Sequence, residues 1–206
     1  MSEKIFDKWA ESYDTELNLH KKEFPFLGYH DVLEWILQSV DVSKGMKILD
    51  VGVGTGNLSH ILSNKGCSLY GVDCSSKMLA VAKEKIPKGN FELVDVSCKH
   101  FGKYNYEKFD RVVSNYFFHH LSTFEKIVFF ERTIKNNLNP GGRIIIGDIG
   151  FKTKEEFEKA RILYSDNWDD DEFYLIGEEL TRELSKAGIF VEYIQVAESG
   201  GILFYE

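Results

Sequence analysis

From residue 46 to residue 149, short apolar runs alternate with stretches of helical periodicity, which restricts the chain to a mostly parallel sheet wound on both faces. Met46–Val53 is an apolar run ending in glycines, the pattern of a strand buried on both sides. Asn57–Lys65 follows with Leu58, Ile61 and Leu62 at helical spacing and Gly66 as its stop. Ser68–Val72 predicts a second strand and Ser75–Ile86 a second helix, with Met78, Leu79 and Ala82 on one face. Phe91–Val96 and Phe109–Asn115 read as strands three and four. A long helix over Thr123–Leu138 stops at Asn139-Pro140-Gly141-Gly142, and Arg143–Ile149 is strand five.

The tail departs from this pattern. After a helix near Gly177–Ala187, the β-rich runs Phe190–Ala197 and Ile202–Tyr205 are separated only by Glu198-Ser199-Gly200-Gly201. Parallel neighbours need a crossover of about a dozen residues, so these two must form an antiparallel hairpin. The expected fold is α/β: a doubly wound sheet of seven strands, mostly parallel with a reversed C-terminal strand, and helices on both faces. One domain, 1–206, accounts for the length. It divides into an N-terminal helical cap (1–43), a ligand-binding core (44–150) and a region of lid insertion, last helix and terminal hairpin (151–206).

The first strand-to-helix turn, Gly52-Val53-Gly54-Thr55-Gly56-Asn57, is where an open α/β sheet binds its ligand. Two details separate it from a dinucleotide site. The G-x-G-x-x-G fingerprint counted from Gly52 would place its third glycine at Asn57. Asp50, two residues ahead of Gly52, would repel a pyrophosphate but favour an ammonium or sulfonium. A helix N-terminus at Asn57 accepts a single carboxylate. S-adenosylmethionine carries all three groups. Asp73 closes strand two, where an acidic residue accepts from both ribose hydroxyls, and Asp95 ends strand three, positioned to accept from an adenine amine. The structural alternative for each is capping of the following helix.

On these residues the chain resembles the class I (Rossmann-like) S-adenosylmethionine-dependent methyltransferases, in particular the small bacterial kind that opens with F-x-x-x-A-x-x-Y-D. Here that segment is Phe6-Asp7-Lys8-Trp9-Ala10-Glu11-Ser12-Tyr13-Asp14. The resemblance extends through Leu49–Gly56, Gly71–Asp73, Asp95, Phe109–Leu121 and Leu138–Gly142, and it accounts for the reversed last strand. It implies that Asp50, Gly52, Gly54 and Gly56 surround the methionine moiety and that Asp73 holds the ribose. It places Cys74 and Met78 beside the adenine, Asp95 and Val96 at the adenine edge, and Asn115 on the methionine side. Tyr13 would close over the cofactor, where an aromatic face stabilises a sulfonium by roughly 0.5–2 kcal/mol.

Methyl transfer requires alignment, exclusion of water and, for some acceptors, removal of a proton, so no universal triad can be sought. His119 and His120 are the candidate bases because histidine titrates near neutrality. Equally, one can pack under the sheet while the other orients the loop. The acidic run Asp166–Glu172 falls in the lid insertion and would suit a cationic acceptor, although such runs are commonly solvated. Trp9, Tyr13, Phe24, Phe26, Tyr29 and Trp35 are available to line a pocket or pack on the sheet.

A net charge of -8 argues against nucleic acid as a partner, as does the lack of Pro-Pro after Asn115. No apolar run approaches the roughly 18 residues of a membrane span, and the opening residues lack a signal-peptide core. Cys67, Cys74 and Cys98 show no CxxC spacing and read as reduced cytoplasmic thiols, with no metal site expected. The expected function is methyl transfer to a small molecule by a monomer or homodimer. A non-catalytic S-adenosylmethionine- or S-adenosylhomocysteine-binding protein is the alternative. A nicotinamide-dependent oxidoreductase is disfavoured by Asp50, Asn57 and the hairpin.

Overall fold

The computed structural model describes residues 3–98 and 100–206, apart from the side chains of residues 3–5 and 98, so Cys98 falls outside the described side chains. Two N-terminal helices, α1 (Glu3–Trp9) and α2 (Tyr13–Leu19), precede α3 (Tyr29–Ser39). The alternating region then runs β1 (Lys47–Val51), α4 (Asn57–Ser63), β2 (Ser68–Asp73), α5 (Ser76–Lys85), β3 (Asn90–Leu93), β4 (Phe109–Asn115), α6 (Thr123–Arg132) and β5 (Leu138–Phe151). It is followed by α7 (Lys154–Leu163), β6 (Leu175–Ile176), α8 (Gly177–Lys186), β7 (Glu192–Ala197) and β8 (Gly200–Tyr205).

The sheet order is β3-β2-β1-β4-β5-β8-β7. Strands β1 to β5 pair in parallel, while β8 runs antiparallel between β5 and β7. This is the expected reversed strand. The short β6 pairs with β5 and makes an eighth strand beside the seven main ones. Two residues long, it has too little periodicity to be read in sequence.

Alternate residues of each strand feed opposite layers, as a pleated strand requires. Ile48, Val113, Ile145 and Ile202 pack with Val32 and Ile36 of α3 and Leu58 and Leu62 of α4. Leu49, Val112, Ile144, Ile146 and Leu203 pack with Phe129 and Phe130 of α6 and Leu180 and Leu184 of α8. Both faces of the sheet are therefore apolar, which explains the unbroken hydrophobic runs.

The structure departs from the periodicity in four places. The expected helical cap is interrupted at Ala10-Glu11-Ser12, between α1 and α2. Strand three stops at Leu93, and Val96–Cys98 form a single 3-10 turn. The long helix ends as α at Arg132 and continues as a π-turn over Thr133–Asn137. That wider turn carries the buried Asn137, whose amide donates to the carbonyls of Tyr104, Asn105 and Glu107. Finally, the insertion holds α7, started by a reciprocal cap between Thr153 and Glu156.

Gly147 sets the closeness of α3 to the sheet. A Cβ there would lie 2.3 Å from Val32 Cγ1 and 2.7 Å from Ile36 Cδ1. Gly147→Ala should destabilise the protein by about 1–3 kcal/mol by overpacking this seam. Urea denaturation measures it, and an unchanged midpoint would show that α3 can move aside without cost.

Candidate functional site

The strand order reverses between β1 and β4, so the segments leaving their carboxyl ends diverge and open a crevice. A cavity of ≈ 410 Å³ occupies it, within the range of small-ligand sites. Its lining includes Tyr13, Asp50, Gly52, Gly54, Asp73, Cys74, Met78, Asn115, His119 and His120 from the sequence analysis. Gly56, Asp95 and Val96 lie outside the lining.

The glycine turn is shaped by close approach. Gly52 has φ 71°, and a Cβ on it would meet Phe117 at 2.2 Å. Gly54, at φ 53°, has no other residue's atom within 4 Å of its Cβ position, so it presents bare backbone. Its N–H donates to Asp73 Oδ2 at 2.8 Å, while Ser75 N–H donates to Oδ1 at 2.9 Å. Asp73 thus braces the loop it closes. Burial, partly offset by these amides, raises its pKa. Asp50 is 2% exposed and accepts from Ser59 Oγ at 2.5 Å. Burial pushes its carboxyl up to about 7.

At the end of β4, Asn115 Oδ1 is buried without a donor, and so is the neighbouring Tyr116 hydroxyl. Tyr116 also holds φ at 56°, a conformation that costs a non-glycine residue on the order of 1–3 kcal/mol. Both Asn115 and Tyr116 line the cavity. Asp95 is exposed, and its Oδ1 accepts from Ser97 N–H and Oγ. Val96 is buried in the layer beneath the sheet. Gly56, at φ 83°, caps α4.

The N-terminal segment is tied across the cavity by two aspartates of the opening motif. Asp14 accepts from Thr55 Oγ1 (2.7 Å), Asn57 Nδ2 (2.9 Å) and Lys85 Nζ (2.5 Å). Burial alone would raise its pKa, but these three donors outweigh it and hold it below the usual carboxylate value. Asp7 accepts from Ser75 Oγ at 2.6 Å. Trp9, Tyr13, Phe26 and Tyr29 reach the cavity. Phe24 instead stacks between Tyr164 and Trp168, and Trp35 packs on Phe204.

His119 is buried, and both its backbone N–H (2.8 Å) and its Nδ1 (2.6 Å) meet the carboxylate of Asp148, which is 0% exposed. Burial disfavours the imidazolium, but the Asp148 charge and hydrogen bond win and the pKa is raised. His120 lacks such a partner, and burial with the neighbouring His119 lowers it to about 2. Within the acidic run, Asp170 pairs with Arg161 at 2.8 Å, whereas Glu172 turns into the cavity. Sequence reasoning gave no role to Asp14, Tyr116 or Asp148, and reached Glu172 only as one member of the acidic run. A lone carboxylate inside Ile144-Ile145-Ile146-Gly147-Asp148-Ile149 was the available signal, because a buried acid demands a partner.

A parallel sheet that reverses at a glycine turn, with carboxylates closing β1 and β2 and a reversed strand near the far edge, defines a Rossmann-like cofactor-binding protein. A family model described as a methyltransferase domain matches residues 42–188. An uncharacterized methyltransferase of Geobacillus kaustophilus is 33% identical over 200 residues, covering 93% of this chain and 90% of the relative. Among solved structures, a DhpI complex with SAM and HEP superposes with TM-score 0.73 at 16% identity, covering 98% of this chain and 94% of that one. Magnesium protoporphyrin IX methyltransferase from Synechocystis with bound SAH gives TM-score 0.67 at 18% identity and 98% coverage of both chains. The chain belongs to the class I S-adenosylmethionine-dependent methyltransferase family. Among the described residues, no helix is long and apolar enough to cross a membrane.

Asp14→Ala should free the opening segment from the glycine loop. Hydrogen exchange is expected to accelerate across residues 6–19 while β1, β4 and β5 keep their protection. Unaltered exchange in residues 13–19 would mean that the clasp does not hold this segment.

Proposed function

We propose that this methyltransferase acts on a small-molecule acceptor enclosed between the glycine loop and the N-terminal cap, residues 1–43. The observation carrying this reading is a single ≈ 410 Å³ cavity whose wall joins Asp50, Gly54 and Asp73 to Phe6, Trp9, Tyr13 and Phe26. The net charge of -8 disfavours a nucleic-acid acceptor.

The residues fit the cofactor. Bare backbone at Gly54, the donor-free Asn115 Oδ1 and two buried carboxylates are polar groups awaiting a cationic, hydroxyl-bearing partner. We assign Asp50, Gly52, Gly54 and Asn115 to the methionine portion, Asp73 to the ribose, Cys74 and Met78 to the adenine side, and Tyr13 to closure. Asp95 stays a candidate for the adenine edge by its place after β3. When bound, S-adenosylmethionine supplies a methyl group activated by its sulfonium. The chain's own part is to orient the acceptor, exclude water with its aromatic cap and hold charge with Asp50. His119, oriented by Asp148, is the better placed of the two histidines to take a proton.

Asp73→Ala should weaken S-adenosylhomocysteine binding by a few kcal/mol, as measured by calorimetry. An unchanged affinity removes Asp73 from the ribose site. Asp50 makes binding depend on pH. Free, it is protonated below about 7, whereas a bound ammonium would hold it ionised. Affinity should therefore rise between about pH 5 and 7 with release of a proton, then level off. Asp50→Asn should flatten the profile, and a flat wild-type profile would refute the assignment. Stability of the free protein runs the other way. With a folded pKa near 7 against an ordinary 3.8, it falls as pH rises through that window. Labelled-methyl turnover on a metabolite library tests the acceptor class, and labelling confined to macromolecules would overturn it.

A further inference from the structure

The cavity holds a cluster that cofactor binding does not use. His119 Nε2 lies 3.7 Å from Glu172 Oε1, and His120 Nδ1 lies 3.8 Å from the same oxygen. All three donor atoms fall within 4.8 Å of one another. Ligands around a tetrahedral zinc ion, at bond lengths of about 2.0–2.2 Å, stand about 3.3 Å apart. Closing the two carboxylate–imidazole distances to that value takes about half an ångström each, and the two imidazoles, within 4.8 Å, close by up to about 1.5 Å.

The hydrogen-bond arrangement is also that of a ligand. Asp148 accepts from Nδ1 of His119, so in the neutral ring, the form a metal binds, the lone pair lies on Nε2, the atom facing Glu172. A buried carboxylate behind a histidine is the usual outer support of a metal ligand. His120 Nδ1 is buried with no hydrogen-bond partner. A lone pair left bare in this way normally costs free energy unless something fills the space before it. The carboxylates Asp148 and Glu172 outnumber the nearby Lys126 ammonium, so the cluster is net negative when both histidines are neutral. Lys126 itself is held away by the Phe173 carbonyl at 2.5 Å.

We propose that His119, His120 and Glu172 form a binding site for a divalent transition cation, with Asp148 orienting His119 behind it. Two imidazoles and one carboxylate are a borderline donor set that suits Zn²⁺ and excludes Mg²⁺ and Ca²⁺, which take all-oxygen shells. Three protein ligands leave a coordination position open, and all three line the cavity, so that position faces its interior. This inference stands apart from the cofactor assignment, since the site shares the cavity but none of those residues, and it replaces the proton-accepting role of His119, because a metal on Nε2 occupies the lone pair that role needs.

The test uses the full chain stripped with a chelator and titrated with Zn²⁺ by calorimetry and with Co²⁺ by visible absorption. One equivalent of each metal should bind, with a tetrahedral-type cobalt spectrum. Glu172→Gln and His120→Asn should abolish that binding, and Asp148→Asn should weaken it by about 10–100-fold. Circular dichroism checks folding. Glu172 sits in a loop, so its variant remains informative if Asp148→Asn fails to fold. Absence of binding in the wild type overturns the proposal. So does binding that survives in both Glu172→Gln and His120→Asn, because it then resides at surface groups such as His20 beside Glu16 and Glu23. S-adenosylhomocysteine titrated in parallel separates the two readings: metal bound without it sinks the cofactor assignment alone, and the converse sinks the metal site alone.

Discussion

Parallel pairing of β1 with β4 sets side by side two strands whose following segments turn away in opposite directions. The space between them is lined by strand ends, where backbone groups have left the ladder and need other partners. Gly52–Thr55 comes from one strand and Asn115–His120 from the other, so the open backbone at Gly54 lies across from a wall of side chains. Phe117 packs against Gly52 across the join, which is why no side chain fits at that glycine.

Carboxylates in this crevice are buried far more deeply than isolated charges tolerate. Each is handled differently. Asp73 is satisfied by loop amides, and in return fixes the shape of the loop. Asp148 is satisfied by a histidine and two backbone N–H groups. Asp50 has a single hydroxyl, from Ser59, and its carboxyl rises accordingly to about 7. The under-satisfied one is the one that a cation would complete. The opening motif closes the crevice in a similar way, with Asp14 gripping the glycine turn after β1 and Asp7 the turn after β2.

The sequence by itself determined the class of fold. Strand runs at Met46–Val53, Ser68–Val72 and Phe109–Asn115 were legible because both faces of the sheet are buried, which makes them continuously apolar. The hairpin was legible because a four-residue link cannot cross over. Asp50, Asp73 and Asn115 were legible because a strand end is known from its sequence neighbours, and Tyr13 because the opening segment resembles that of the family; all four reach the cavity.

Only the tertiary structure decided which distant residues meet. Asp14 is 71 positions from the Lys85 it binds, and Asp148 is 29 from His119, so no local pattern pairs them. Glu172 lay in a run with five other acidic or amide residues, and chain packing alone chose it over Asp170 to enter the cavity. The π-turn at Thr133–Asn137 and the pairing of β6 likewise answer to long-range hydrogen bonds. Local periodicity reports which face of an element is buried; it carries no information on which polar atom lies opposite.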